Sequence, residues 1–114
     1  MEILRFDAGL AERITEYESK FAAAAAVADG AGEAHVYVVY LEPGGEIGPH
    51  VAGFGQLFFA AAGNDWVAGG DGERVRLAKG EAAFIARGEV HSKGSEVGMT
   101  AFVVQVRDLT PTPS

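Results

Sequence analysis

The stretch Gly44–Gly63, GGEIGPHVAGFGQLFFAAAG, decides the fold of this chain. It begins at the turn signal Pro-Gly-Gly, passes His50, and continues into the apolar run QLFFAA, which is typical of a strand. A second segment, Gly80–His91 (GEAAFIARGEVH), also combines an apolar run, a glycine turn and a histidine. We therefore expect both segments to belong to a small barrel in which the two histidines share a polar interior site.

From Ala34 onward, the sequence predicts short strands separated by turns. Runs of β-branched and aromatic residues end at glycine, proline, asparagine or aspartate. The predicted strands are Ala34–Leu41, Gln56–Ala61, Trp66–Ala68, Glu73–Leu77, Glu81–Ala86 and Met99–Val106, with a possible edge strand at Met1–Arg5. We predict an all-β sandwich or barrel in one domain, residues 1–109, followed by a disordered tail, residues 110–114, that contains two prolines.

The segment Ile14–Ala28 does not have a clear pattern. Leu10, Ile14, Tyr17 and Phe21 follow helical spacing, Asp7 is suited to an N-cap, and the alanines also favour a helix. Pairing with the rest of the fold often overrides such propensities. From these residues alone, helix and strand both stay open, with the helix preferred on propensity.

Composition excludes several classes of protein. The chain has 114 residues, no cysteine and a net charge of -7, so disulfides and thiolate chemistry are absent. Its nine lysines and arginines are dispersed, whereas nucleic acids and anionic membranes require clustered cations. The longest apolar run, Phe21–Ala28, is too short to span a bilayer. We expect a cytoplasmic protein with neither a nucleic-acid nor a membrane partner.

The two histidine segments resemble the two conserved motifs of the cupin superfamily. In the first motif, Gly44, His50 and Gly63 match, but Ala52 stands at the second histidine position and Gln56 at the glutamate position. In the second motif, the matching residues are Gly80, Gly88 and His91, and Ala86 replaces a proline. With the flanking strands, the resemblance covers about residues 36–106, which is most of the chain.

This resemblance implies a cupin double-stranded β-helix, a jelly-roll barrel in which each motif supplies two strands and the motif residues converge inside one end. Similar small cupins have an extended N-terminal part that pairs with the sheet, often with a partner subunit. The resemblance therefore favours strand over helix for much of Ile14–Ala28. It also implies a homodimer.

The resemblance further implies a divalent-metal site, because motif histidines and the glutamate hold iron, manganese, nickel, copper or zinc in this family. Carried over to this chain, the ligands are His50, Gln56 and His91, which would bind Zn, Ni, Mn or Fe. Gln56 is neutral and Ala52 has no ligand atom, so we expect a weakened site. Glu46 and Glu89 lie near the motifs but are expected to face water.

Three hypotheses about function remain open at this point. The first is a small-molecule-binding cupin with a weakened metal centre, whose enzymatic form would be an oxygenase or isomerase. The second is a metal-free pocket in which the same polar side chains bind a ligand. The third is a purely structural polar network. Candidates for the pocket lining are Gln56, Phe58, Trp66, Phe84 and Phe102. His35, beside Glu33, is expected to be solvated rather than a third ligand.

Overall fold

The computed structural model describes residues 1–112, and these residues form eleven strands and one turn of 3-10 helix. The strands are β1 (Glu2–Arg5), β2 (Glu12–Arg13), β3 (Ala23–Ala24), β4 (Ala28–Leu41), β5 (Glu46–Val51), β6 (Gly55–Gly63), β7 (Asp65–Ala68), β8 (Arg74–Leu77), β9 (Glu81–Ile85), β10 (Val90–Gly94) and β11 (Met99–Pro111). The all-β prediction is confirmed. The helical turn covers Ala8–Leu10, and the Asp7 carboxylate caps it by accepting a hydrogen bond from the Gly9 amide at 3.1 Å.

Two antiparallel sheets pack face to face. The first has the strand order β1-β9-β6-β11-β4, and the second has the order β5-β10-β7-β8. Strands that are distant in sequence are neighbours in both sheets, as expected for a jelly roll. Each cupin-like motif supplies one strand to each sheet: β5 and β6 come from the first motif, and β9 and β10 from the second.

The core lies between the sheets and follows from strand alternation. Successive side chains point to opposite faces, so every second residue of a strand enters the interior. The interior cluster contains Ala52, Phe58, Val67, Leu77, Ala83, Ile85, Met99, Ala101 and Val103. Phe58 is fully buried at its centre. Its neighbour Leu57 belongs to a second cluster, with Ala82 and Phe84, on the outer face of the five-stranded sheet.

The N-terminal segment forms little regular structure. Within Ile14–Ala28 there is no helix, and the only complete strand is β3, which pairs with β2 as a separate ribbon. Tyr17, Glu18 and Phe21 have positive φ values of 58°, 56° and 55°, and such angles interrupt both helices and strands. The preference for strand over helix is thus correct only for the residues of β3 and the first residue of β4. Most of the segment is turn and irregular chain, which does not pair with the main sheet.

The end of the chain differs from the prediction. We predicted a disordered tail from residue 110, but Thr110 and Pro111 continue β11 and pair with Asp29 and Ala28. The Thr112 amide donates to the Val27 carbonyl at 3.0 Å, so the prediction is wrong for residues 110–112. The first residues of the long strand β4 provide backbone partners for the end of the chain. The two prolines, considered alone, do not predict this pairing. Residues 113 and 114 lie outside the described residues.

Glycines of the second motif are required by backbone geometry. Gly80 and Gly88 have φ values of 84° and 91°, which side-chain-bearing residues rarely adopt. They turn the chain into β9 and into β10, and so determine where His91 enters the barrel.

Within the described residues, no helix is long and apolar enough to cross a membrane.

Candidate functional site

The two motif histidines meet at one end of the barrel. His50 on β5 and His91 on β10 are direct partners in the antiparallel register, and their ring centroids lie 4.3 Å apart. The Nδ1 atom of His50 lies 2.8 Å from the Gly48 carbonyl oxygen, which only accepts. In the neutral ring, Nδ1 therefore carries the proton and Nε2 keeps a free lone pair. The two rings are adjacent, as predicted, but His50 is exposed and only His91 lies in the interior.

His91 is buried without hydrogen-bond partners. Only 1% of its surface is exposed, and among the described residues neither Nδ1 nor Nε2 has a partner. Burial, together with the nearby Lys93 and His50, lowers the pKa of His91 to about 4, against an opposite effect of Glu89. The ring is therefore neutral near pH 7, with one donor and one acceptor nitrogen available. A buried polar ring of this kind is usually hydrogen-bonded, so a water, an ion or a ligand would fit beside it.

Lys93 is the site residue that the motif comparison missed. It is 3% exposed, and its Nζ donates to Gln56 Oε1 at 3.4 Å and lies 4.5 Å from the ring centre of Phe58. Burial lowers the pKa of Lys93 to about 8, and no neighbouring carboxylate raises it. The alternation of β10 was the available signal, because Lys93 follows His91 by two residues and must share its face.

A row of polar residues crosses the inner face of the five-stranded sheet beside this cluster. Gln56 on β6 pairs with Gln105 on β11, and Gln105 pairs with His35 on β4. Gln56 is 4% exposed, so its amide belongs to the interior. His35 is half exposed, and its Nε2 lies 2.7 Å from a Glu33 carboxylate oxygen. His35 is thus solvated, as expected, and contacts Glu33, although its strand position is level with the site.

The predicted aromatic lining is only partly brought together. Phe58 lies in the interior cluster and contacts Lys93. Phe84 belongs to the outer-face cluster, and Phe102 packs against Phe59 of that cluster with a centroid distance of 5.7 Å. The Arg74 guanidinium carbon lies 3.8 Å from the centre of the Trp66 ring, and Trp66 is partly exposed on the second sheet. The proposed role of Phe84, Phe102 and Trp66 beside the histidines is therefore corrected, because strand alternation directs these side chains away.

The two nearby glutamates do not complete a ligand set. Glu89 accepts hydrogen bonds from the Met1 amino group and from the Ala86 amide, the latter at 2.8 Å. Its ion pair with the amino group lowers the pKa of Glu89. Glu46 is exposed and forms an ion pair with Arg74 at 3.2 Å. Neither carboxylate is free to join the histidine pair.

A second polar position lies toward the other end of β7. Asp65 is 4% exposed, and among residues 1–112 neither of its carboxylate oxygens has a hydrogen-bond partner. Burial raises the pKa of Asp65 to about 7. It borders a cavity of about 470 Å³ that is also lined by Asn64, Trp66, Arg74, Arg76, Glu96 and Val97. Asp65 pairs with Leu77 at the start of β7, whereas the strand partner of Lys93 is Val67, two residues further along on the same face.

Known structures with the same arrangement decide the fold family. A cupin-like protein from Thermotoga maritima superposes with a TM-score of 0.60 at 21% identity, covering 71% of this chain and 65% of that one. The chain has the cupin fold. A cupin superfamily protein from Desulfitobacterium hafniense also gives a TM-score of 0.60, at 8% identity, over 71% of this chain and 76% of that one.

One of the structures similar to this cupin fold is an enzyme of known activity. A DMSP lyase from Ruegeria pomeroyi matches with a TM-score of 0.58 and 18% identity, over 90% of this chain but only 55% of the lyase. No protein-family model and no curated protein matches the sequence. At these identities the likeness concerns the fold, and the function has to be argued from the site itself.

The donor set is a poor fit to a divalent metal. Among the described residues, no group of three or more histidine, cysteine, aspartate or glutamate side chains is placed to hold an ion. The oxygen of Gln56 that would act as a ligand faces the ammonium of Lys93. A second cation beside this ammonium would be repelled, and among residues 1–112 no carboxylate forms a salt bridge with Lys93 to offset the charge. The cupin metal position is thus altered at Ala52, at Gln56 and by Lys93.

Proposed function

We propose that this protein is a small-molecule-binding cupin whose pocket works without a metal. The carrying observation is the 3.4 Å contact between Lys93 Nζ and Gln56 Oε1, which places a buried cation among the motif residues. His91 adds two ring nitrogens that have no partner within residues 1–112, and Phe58 adds an apolar ring 4.5 Å from Lys93 Nζ. Convergent polar groups in a mostly apolar interior are what small-molecule sites provide.

The proposal is tested on protein purified without a metal-affinity tag. Elemental analysis and thermal unfolding with a panel of anionic, neutral and cationic compounds are compared for the wild type, His91→Ala and His35→Ala. We expect metal-free protein that selected compounds protect against heating, with protection lost in His91→Ala and kept in His35→Ala. The control is matched because His35 is partnered by Glu33 at the surface. Protection that survives His91→Ala would contradict this pocket.

A weakened metal centre is the second candidate, favoured by the free nitrogens of His91 beside the lone pair of His50. His50, His91 and Gln56 would hold Zn, Ni, Mn or Fe, and the ion would supply Lewis-acid chemistry of the oxygenase or isomerase type. Stoichiometric metal in the wild type that disappears in His91→Ala would support it.

A constructive test of the metal candidate uses the two altered motif positions. Replacing Ala52→His and Gln56→Glu together restores the family ligands, so metal affinity should rise if these positions converge. Ala52 is 1% exposed and packs in the interior cluster, so folding of the variant is checked by circular dichroism. A folded double variant with unchanged affinity would mean that the motif alignment does not describe the site.

We also propose that two copies associate through the outer face of the five-stranded sheet. Val36, Val38 and Tyr40 on β4 are 67%, 44% and 76% exposed, and β4 is an edge strand paired only with β11. An apolar row beside an open edge favours a partner, and a second copy buries the same row on both sides of a two-fold interface.

Light scattering should report a dimer that the double substitution Val38→Glu with Tyr40→Glu converts to a monomer. The exposed loop substitution Val97→Glu is the control, and a monomeric wild type would refute the proposal.

A further inference from the structure

The polar groups at the inner end of the barrel share one chemical character, because most of them donate hydrogen bonds. Lys93 contributes an ammonium, Gln56 an amide nitrogen beside the oxygen that Lys93 contacts, and His91 at least one ring N–H without a partner among the described residues. In the described part of the chain, no carboxylate lies within salt-bridge distance of Lys93. The site therefore has an excess of donors and an uncompensated positive charge.

A buried charge without a counter-ion is costly to the folded protein. Buried charges in proteins are normally paired and hydrogen-bonded, because an isolated ion loses its hydration. Lys93 is 3% exposed and has one side-chain contact of 3.4 Å, to a neutral oxygen, together with the face of Phe58. An anion placed between Lys93 and His91 would supply the missing charge and accept from both residues.

We propose that the pocket binds the carboxylate group of a small organic acid, with Lys93 as the charge partner, His91 as a second donor and Phe58 against the apolar part. This inference rests on the proposed metal-free pocket and adds the class of ligand. A carboxylate suits the arrangement because its two oxygens accept from two donors at once, and charge-assisted hydrogen bonds are the stronger ones. The Phe58 ring centre lies 4.5 Å from Lys93 Nζ and offers no polar atom, so a short apolar chain suits this side of the site.

The experiment compares acetate with acetamide, which has nearly the same shape and no charge. Each probe is titrated at constant ionic strength while the His91 ring signals and the Phe58 ring signals are followed by NMR. We expect saturable shifts with acetate and none with acetamide over the same concentrations. Equal responses to the two probes would overturn the carboxylate assignment without requiring any variant.

A charge-removing variant tests the role of Lys93. Lys93→Met keeps the length and apolar stem of the side chain and should weaken acetate binding about tenfold or more, as expected for loss of a charge-assisted hydrogen bond. Lys79→Met, at an exposed position just before Gly80, is the matched control and should leave affinity within about twofold. Wild-type affinity in Lys93→Met would refute the assignment.

The outcomes separate this inference from the proposed function. If neutral or cationic compounds shift the His91 signals as well as acetate does, the pocket stands and its preference for carboxylates is wrong. If no compound of any charge shifts these signals, the proposed small-molecule function itself fails. Should Lys93→Met not fold, the comparison of acetate with acetamide on the wild type still decides the question.

Discussion

Replacing Asp65 by asparagine should stabilise this protein at alkaline pH and have little effect at acidic pH. The carboxyl is 4% exposed and has no hydrogen-bond partner among the described residues, so its charged form is disfavoured in the fold. Burial raises the pKa of Asp65 from 3.8 to about 7. Asparagine has the shape of the protonated acid and carries no charge at any pH.

The magnitude follows from the difference in proton binding between the folded and unfolded chains. Between the two pKa values, the folded state keeps a proton that the unfolded chain has lost, so stability falls as pH rises toward about 7. Raising the pH from about 5.5 to about 8 should cost the wild type about 2 kcal/mol through this group. The Asp65→Asn variant has no carboxyl at this position to titrate, so its free energy of unfolding relative to the wild type should increase by about 2 kcal/mol across the same range.

Urea unfolding of both proteins at several pH values measures this difference, and titrations common to both cancel in the comparison. Asp108→Asn, at an exposed position on β11, is the control and should show no such pH dependence. A difference between Asp65→Asn and the wild type that is constant with pH would refute the reasoning. So would a variant that is less stable than the wild type at about pH 8.

Two further predictions concern packing. Phe58→Ala should lower the free energy of unfolding by about 3–5 kcal/mol, because Phe58 is fully buried at the interior cluster, whereas Phe21→Ala, at a fully exposed side chain, should change it by less than about 0.5 kcal/mol. Chemical denaturation measures both, and similar losses would contradict the assigned core. Gly94→Ala should also destabilise the fold, since the added Cβ would lie 2.6 Å from the Trp66 ring and 2.8 Å from the Gly45 carbonyl oxygen. Gly48→Ala meets nothing within 4 Å and is the control for the melting temperature, which should fall only in Gly94→Ala.

Much of the fold could be predicted because its signals are local. Strand alternation and glycine turns located β6 to β9 and β11 within a few residues, and the motif resemblance brought His50 and His91 together, although their direct pairing in register is seen only in the structure. The N-terminal segment and the chain end were less predictable. The helical spacing of Leu10 and Ile14 did not produce a helix over Ile14–Ala28, where positive φ values interrupt the chain, and Thr110 pairs with the distant Asp29.

The sequence alone determined an all-β chain, the turns at its glycines and the two histidines of one site. These features depend on backbone sterics and on the two-residue period of a strand, and both are set by residues that are close together in the sequence. Only the tertiary structure decided that Lys93 faces Gln56 and Phe58, that Phe84 and Phe102 face away, and that Asp65 is buried without a partner. Burial and charge compensation arise from residues far apart in the chain, so spacing along the sequence does not determine them.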